Sequence, residues 1–193
     1  MLKKMLIKFT LISAVLSTPG YADNWQSENT KSRLHYTASF EQAPVNGAFK
    51  AFSVVYSVDE KGKPTRLTVK VSIASADMGN SDINAVILGS EWFNVAQYPH
   101  AFFASDNFAA IINSEGENEF IATGILQLKG TKRSVSVPLI WQEISDKKAL
   151  MTGNLTLNRA DFSIGSGEWA NAEQIGLAVK IGFEILLNRR AKE

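Results

Sequence analysis

Near its C-terminus the chain carries the pattern that most limits how it can fold. From Ile175 to Leu187, an apolar residue stands at every second position, and all but one of the residues between them, Leu186, are small or polar. This alternation is typical of a β-strand with one buried face. At about 3.3 Å per residue, these 13 residues would span roughly 43 Å, which is longer than a usual strand. The pattern therefore predicts a deep β-structure.

Seven further segments show the same alternation and predict further strands. They cover residues 32–40, 45–58, 66–73, 101–111, 120–128, 135–141 and 149–157. The phase of the alternation slips within the second segment, which predicts a β-bulge near Lys50–Ala51. Pro138 has no amide hydrogen and therefore predicts an edge or bulge position in the sixth segment.

One segment departs from this pattern and predicts a short helix near residues 80–89. Asn80 or Ser81 is a suitable N-cap and Gly89 a suitable stop, and the residues with helical spacing are Ile83, Val86 and Ile87. Eight strands and one helix predict an all-β fold, an extended antiparallel barrel of eight strands whose interior can hold one ligand. A two-sheet sandwich has a similar content and stays open as an alternative.

Residues 1–22 predict export through a cleaved signal peptide. A lysine-rich start precedes an apolar run from Phe9 to Leu16, and the small residues Gly20 and Ala22 occupy the cleavage positions. The run is far shorter than the roughly 20 residues that a membrane-spanning helix needs. We therefore expect a single mature domain, residues 23–193, without a transmembrane segment.

Charge and cysteine content exclude several classes of function. Removal of Lys3, Lys4 and Lys8 with the signal peptide would lower the formal net charge from +1 to −2. The remaining charges are scattered, and no basic stretch indicates binding to nucleic acid or to a membrane surface. The chain has no cysteine, which excludes disulfides, thiol catalysis and thiolate metal sites.

The sequence shows no pattern of a catalytic or metal site. Neither His35 nor His100 has a histidine or acid at metal-ligand spacing, and no Gly-x-Ser-x-Gly motif occurs. Gly165–Gly167 lacks the rest of a phosphate loop and is predicted to form a tight turn. Arg159 and Asp161 would share a strand face, where we expect an ion pair that fixes a loop or a contact to a polar head group. We expect no enzyme activity, no metal and no required cofactor.

Several motifs together resemble the YceI-like family of bacterial polyisoprenoid-binding proteins. They extend from about Trp25 to Leu187 and comprise Val45–Phe52, Glu91–Pro99, Phe103–Ser105, Gly124–Gly130, Pro138 and Asn158–Gly165. The resemblance implies a lipocalin-like barrel in the periplasm, whose lumen takes a long isoprenoid or similar lipid. The chain departs from many relatives at Ser81-Asp82, where they carry Arg-Asp.

These observations lead to the hypothesis of a periplasmic protein that sequesters or carries a long apolar chain, such as a polyisoprenoid or isoprenoid quinone. Two alternatives stay open: a non-catalytic interaction module with a filled barrel or sandwich core, and an enzyme acting on the bound lipid. A homodimer formed through an exposed barrel face is a further hypothesis. The residues predicted to line the lumen are Leu34, Tyr36, Phe52, Val69, Val71, Phe103, Leu126, Val179 and Phe183.

Overall fold

The computed structural model describes residues 23–111 and 118–190. Within these ranges it contains eleven strands and one α-helix, α1 (Ser81–Leu88). The strands are β1 (Asp23–Ser27), β2 (Arg33–Phe40), β3 (Ala43–Phe49), β4 (Phe52–Val58), β5 (Pro64–Ser72), β6 (Ala76–Asp77), β7 (His100–Ile111), β8 (Asn118–Leu128), β9 (Thr131–Ser145), β10 (Lys148–Asn158) and β11 (Ala178–Arg189). The predicted signal peptide lies outside the described residues.

The strands form one closed antiparallel barrel. Their order around the wall is β1-β4-β5-β7-β8-β9-β10-β11, and pairing of β1 with β11 closes the ring. The other three strands extend the wall at one end, where β2 pairs with β11, β3 with β2, and β6 with β3. The eight-stranded barrel predicted from the sequence is confirmed. The sandwich alternative is wrong, because all strands of the described residues belong to one sheet that closes on itself.

The first six strands come in three consecutive pairs along the chain, β1 with β2, β3 with β4, and β5 with β6, and each pair is interrupted by a short break. Short 3₁₀ turns at Asn29–Lys31 and Ile73–Ser75 separate β1 from β2 and β5 from β6. Between β3 and β4, the backbone oxygen of Ser75 accepts from Lys50 N at 3.1 Å, and its Oγ accepts from Ala51 N at 3.0 Å. The irregularity predicted near Lys50–Ala51 is therefore a complete break between two strands rather than a bulge within one.

The final strand begins later than the alternation predicts. Ile175 makes only an isolated bridge with Phe40, and the N–H of Gly176 donates to the carbonyl of Ser39 at 3.0 Å. Regular pairing starts at Ala178, so β11 has 12 residues, while β9 has 15. The alternating residues before Ala178 therefore belong to the connection between β10 and β11, which covers one end of the barrel.

Pro138 lies inside β9 at the point where one of its two ladders ends. Strand β9 pairs with β8 from Thr131 to Trp141, but its pairing with β10 runs only from Ser145 to Leu139. Pro138 therefore has no ladder partner on β10, a strand that is described in full. The predicted edge position of this proline is confirmed.

The helix α1 lies over the barrel end formed by β2, β3 and β6. It is capped as predicted, since the side chain of Asn80 accepts from the backbone N–H groups of Asp82 and Ile83 at 2.9 and 3.1 Å. Ile87 is buried beneath the helix, whereas Ile83 and Val86 are exposed. The helix thus has only part of its apolar surface packed against the barrel.

The opposite end of the barrel is filled by aromatic side chains. Trp25 meets Trp141 edge to face with ring centroids 5.2 Å apart, and Tyr56 lies 4.6 Å from Trp141. Phe108 adds a further edge contact to Tyr56. We call this cluster, Trp25, Tyr56, Phe108 and Trp141 with the fully buried Leu187, the aromatic plug. It closes this end because its rings meet across the barrel axis.

Candidate ligand-binding cavity

Between the aromatic plug and α1 the barrel is hollow. The cavity has a volume of about 730 Å³, and its wall consists almost entirely of apolar side chains from β2–β5 and β7–β11. This volume lies in the range of about 300–1,000 Å³ that is typical of ligand pockets. None of the four aromatic rings of the plug belongs to the wall, so the cavity ends where the plug begins.

All nine residues predicted to line the lumen lie in the cavity wall. Inward and outward positions alternate along each strand because successive Cβ atoms point to opposite faces. These nine residues are Leu34, Tyr36, Phe52, Val69, Val71, Phe103, Leu126, Val179 and Phe183. Their contact with a ligand stays a prediction.

The connection between β10 and β11, which we call the cap segment (residues 159–177), closes the cavity beside α1. Together with the connection from α1 to β7, it adds wall residues that the sequence analysis missed: Trp92, Phe93, Phe162, Ile164, Trp169 and Ile175. The rings of Trp92 and Trp169 lie 5.7 Å apart. Five of these residues occupy irregular segments, where no regular period assigns a side chain to the inside. The sixth, Ile175, begins the predicted alternation but lies before the start of β11.

Arg159 holds the cap segment together. It is 4% exposed, and all five N–H groups of its guanidinium donate to backbone carbonyls at 2.7–3.1 Å. The acceptors are the carbonyl oxygens of Ile164, Gly165, Trp169, Ile175 and Gly176. Burial of this cation lowers its pKa. Arg159 therefore fixes the shape of the cap segment through backbone atoms alone.

The predicted ion pair between Arg159 and Asp161 is wrong. Both residues lie in a 3₁₀ turn, Arg159–Phe162, and not on a strand, so they do not share a face. Asp161 is exposed, and its backbone oxygen accepts from Arg133 Nε at 3.3 Å. Gly165 and Gly167 both have a positive φ, 68° and 62°, and a second 3₁₀ turn begins at Gly167 (Gly167–Ala170).

The cavity opens beside α1. Phe40, Ile83 and Val86 line the cavity and are also 40%, 44% and 44% exposed, so they form its rim. Asp82 lies on the same rim. The N–H of Glu41 donates to the carbonyl of Gln174, another wall residue, at 2.7 Å and joins the β2–β3 turn to the cap segment. We call this opening, bounded by residues 40–41, 82–86 and 174, the mouth.

Two polar atoms of wall residues are buried without a hydrogen-bond partner among the described residues. They are the hydroxyl oxygen of Tyr36 and Nε1 of Trp92. Burial and the nearby negative charge of Asp77 raise the pKa of Tyr36 to about 12. The phenol is therefore neutral at physiological pH.

The two histidines lie apart from each other on β2 and β7, and His35 is exposed. Across residues 23–111 and 118–190, no group of three or more His, Asp or Glu side chains is placed to hold a metal ion. In the same ranges, no helix is long and apolar enough to cross a membrane.

The model of the YceI-like domain matches residues 25–187 of the chain. The chain belongs to the YceI-like family. The resemblance seen in the sequence motifs is thereby confirmed. In this YceI-like chain the motifs surround the cavity: Val45–Phe52 supplies Phe49 and Phe52, and Asn158–Gly165 supplies Arg159 and the start of the cap segment.

Relatives of known sequence and structure agree with this assignment. Protein YceI of Salmonella newport is 29% identical over 191 residues, covering 93% of this chain and 97% of the relative. BcnA of Burkholderia cenocepacia has a TM-score of 0.75 at 28% identity, covering 83% of this chain and 98% of BcnA. A polyisoprenoid binding domain of Saccharophagus degradans has a TM-score of 0.68 at 15% identity, covering 86% and 98%, which is a likeness of fold.

Proposed function

We propose that this YceI-like chain is a periplasmic lipid-binding protein that sequesters or carries one long apolar chain in its barrel. The observation that carries the proposal is the cavity itself, which is apolar, blocked by the aromatic plug and open at the mouth. A space closed at one end suits a ligand with an apolar tail at the plug and a polar end at the mouth.

The affinity would come mainly from burial of hydrocarbon. Each buried CH₂ group contributes about 0.8 kcal/mol, so a chain of many carbons gains more from burial than from any single polar contact. The wall between Val179 and Ile185 on β11 extends over roughly 20 Å at about 3.3 Å per residue. A cavity of this shape favours long, narrow ligands over compact ones.

A polyisoprenoid or an isoprenoid quinone is the ligand class that we propose. The fold is shared with the polyisoprenoid binding domain of Saccharophagus degradans. The chemistry of the wall is compatible with such a chain, because branched aliphatic side chains from β5 and β11 face the cavity beside aromatic rings. No further cofactor is needed for binding of this kind.

We propose binding without turnover. The ionisable side chains in the described wall are Tyr36, Asp82 and Arg159. Tyr36 is held neutral, Arg159 has every N–H engaged, and Asp82 lies at the rim, so none of them forms a nucleophile–base pair. The alternative of an interaction module with a filled core loses its basis, because the core is hollow.

The periplasmic location rests on residues 1–22. Strand β1 begins at Asp23, so cleavage after Ala22 would leave every strand of the barrel intact. Edman sequencing of the protein from a periplasmic extract should begin at Asp23. Recovery of a chain that still carries residues 1–22 in the cytoplasmic fraction would contradict this location.

The carrier proposal is tested by native mass spectrometry of protein purified gently from the periplasm, followed by organic extraction. We expect a co-purifying long-chain lipid, and loss of that lipid in the Leu126→Trp variant, whose side chain would fill the cavity. Ile125→Trp is the matched control, because Ile125 is the adjacent residue on β8 and is 48% exposed. Repeated recovery of empty protein that also fails to bind added long-chain lipids would contradict the proposal.

A further inference from the structure

The charged groups around the cavity disfavour binding of a ligand with an anionic head group. Resting on the proposed function, we propose that the protein selects long-chain lipids with an uncharged head group, such as an alcohol or a quinone, and discriminates against phosphorylated heads. Three observations support this inference: every N–H of the buried cation is engaged, the segments around the mouth carry acids but no lysine or arginine, and the helix N-terminus is capped by a side chain.

Arg159 is the one basic residue among the described residues of the cavity wall, and it is fully engaged. Its guanidinium has five N–H donors, and each already binds a backbone carbonyl of the cap segment. A phosphate could reach this cation only by displacing those carbonyls, which are buried or partly buried and would lose their partners. Arg159 therefore serves the cap segment and offers no site for an anion.

The three segments that surround the mouth carry acids and no lysine or arginine. Residues 38–45 contain Glu41, residues 78–91 contain Asp82 and Glu91, and residues 163–178 contain Glu168 and Glu173. Glu41, Asp82 and Glu173 are exposed. A ligand head at the mouth would therefore meet negative potential, which disfavours an anion and leaves an alcohol or carbonyl unaffected.

Two lysines at this end of the barrel, Lys50 and Lys129, already have partners. Lys50 Nζ lies 3.7 Å from the carboxylate of Asp77. Lys129 Nζ donates to the carbonyls of Ser163 and Glu91 at 2.7 and 3.1 Å. Neither lysine belongs to the cavity wall.

The N-terminus of α1 is also occupied. Two N–H groups of its first turn, those of Asp82 and Ile83, donate to the side chain of Asn80. The carboxylate of Asp82 lies in the same turn, where it repels a second anion. This helix end therefore does not provide the anion site that such an end can form.

The test compares geranylgeraniol with geranylgeranyl diphosphate, which share one chain and differ in the head group. Binding to delipidated protein is measured by isothermal titration calorimetry at low and high salt. We expect the alcohol to bind roughly tenfold more tightly or better at low salt, and the difference to narrow as salt screens the mouth. Equal or tighter binding of the diphosphate would overturn the inference and leave the carrier proposal standing.

A variant without the exposed acids of the mouth tests whether these acids cause the selectivity. In Glu41→Gln/Asp82→Asn/Glu173→Gln, the affinity ratio of alcohol to diphosphate should fall several-fold. Glu60→Gln is the control, since Glu60 is exposed in the β4–β5 turn at the plug end and should leave the ratio unchanged. An unchanged ratio in the triple variant would contradict the role of the mouth acids. Binding of neither lipid to the unmodified protein would contradict the proposed function as well.

Discussion

The two ends of the barrel share the same wall but have different interiors. Strand β4 directs Tyr56 into the aromatic plug and, one inward position earlier, Val54 into the cavity wall. Strand β11 does the same with Leu187 and Ile185. At the plug the side chains are large enough to meet across the axis, whereas in the hollow half many are aliphatic and leave space between them. Strand pairing thus determines the wall, and side-chain volume determines whether the interior is filled.

This difference separates stability from binding. A packed interior stabilises the fold through contacts that a hollow one lacks. We therefore expect substitutions in the plug to act mainly on the free energy of unfolding, and substitutions in the hollow half to act mainly on ligand binding.

Removal of the same side chain from each end should give the largest contrast. Leu187, which is 0% exposed in the plug, should cost about 3–5 kcal/mol in free energy of unfolding when replaced by alanine. Leu34, which is half-buried in the cavity wall, should cost about 1–2 kcal/mol because it has fewer contacts to lose. Urea denaturation of Leu187→Ala and Leu34→Ala measures both values. Equal losses would show that the two interiors are packed alike.

Loss of the Arg159 contacts should destabilise the hollow end alone. Arg159→Met keeps an unbranched apolar stem but leaves five carbonyls without their donor, and we expect a cost of about 2–3 kcal/mol, reduced because the cap segment can open to water. Hydrogen exchange should accelerate in residues 159–177 while β1 and the C-terminal end of β11 stay protected. A uniform loss of protection would contradict the separation of the two ends.

Removal of the unpaired hydroxyl of Tyr36 should have the smallest effect. Tyr36→Phe removes a buried polar atom that has no hydrogen-bond partner in the described part of the chain, so we expect a gain of up to about 1 kcal/mol at neutral pH. The pKa of Tyr36 is raised from 10.0 to about 12, so the stability of the folded state falls as pH rises above 10.0.

Tyr36→Phe should remove the loss of stability that this phenol causes at alkaline pH. The free energy of unfolding of the variant should therefore exceed that of the unmodified protein by a margin that grows from pH 9 to pH 11, measured by urea denaturation at each pH. A variant that is less stable at neutral pH would show that the hydroxyl has a partner.

The alternation predicted which side chains point into the barrel, but not how far along the barrel axis each of them lies. Tyr56 and Phe52 occupy inward positions of one strand, and no sequence period distinguishes the filled end from the hollow one. Strand β1 was not predicted, because five residues are too few to show a period. The role of Arg159 could not be predicted, since its acceptors are backbone carbonyls that exist at each position of any sequence.

The chain contains its own probes for the central claim, that an apolar tail reaches the plug while the head stays at the mouth. Two of its four tryptophans, Trp25 and Trp141, lie in the plug, and the other two, Trp92 and Trp169, line the cavity at the opposite end, where the mouth is. In Trp92→Phe/Trp169→Phe only the plug fluoresces, and in Trp25→Phe/Trp141→Phe only the mouth does. Circular dichroism checks that both variants fold.

The measurement is quenching of each variant by long-chain alcohols brominated either at the last carbon or next to the hydroxyl. The account predicts that terminal bromine quenches the plug tryptophans, and that bromine beside the hydroxyl quenches those at the mouth. The reverse pattern, or equal quenching of both pairs by both alcohols, would contradict a cavity that is closed by the plug and binds its ligand with the tail at the plug.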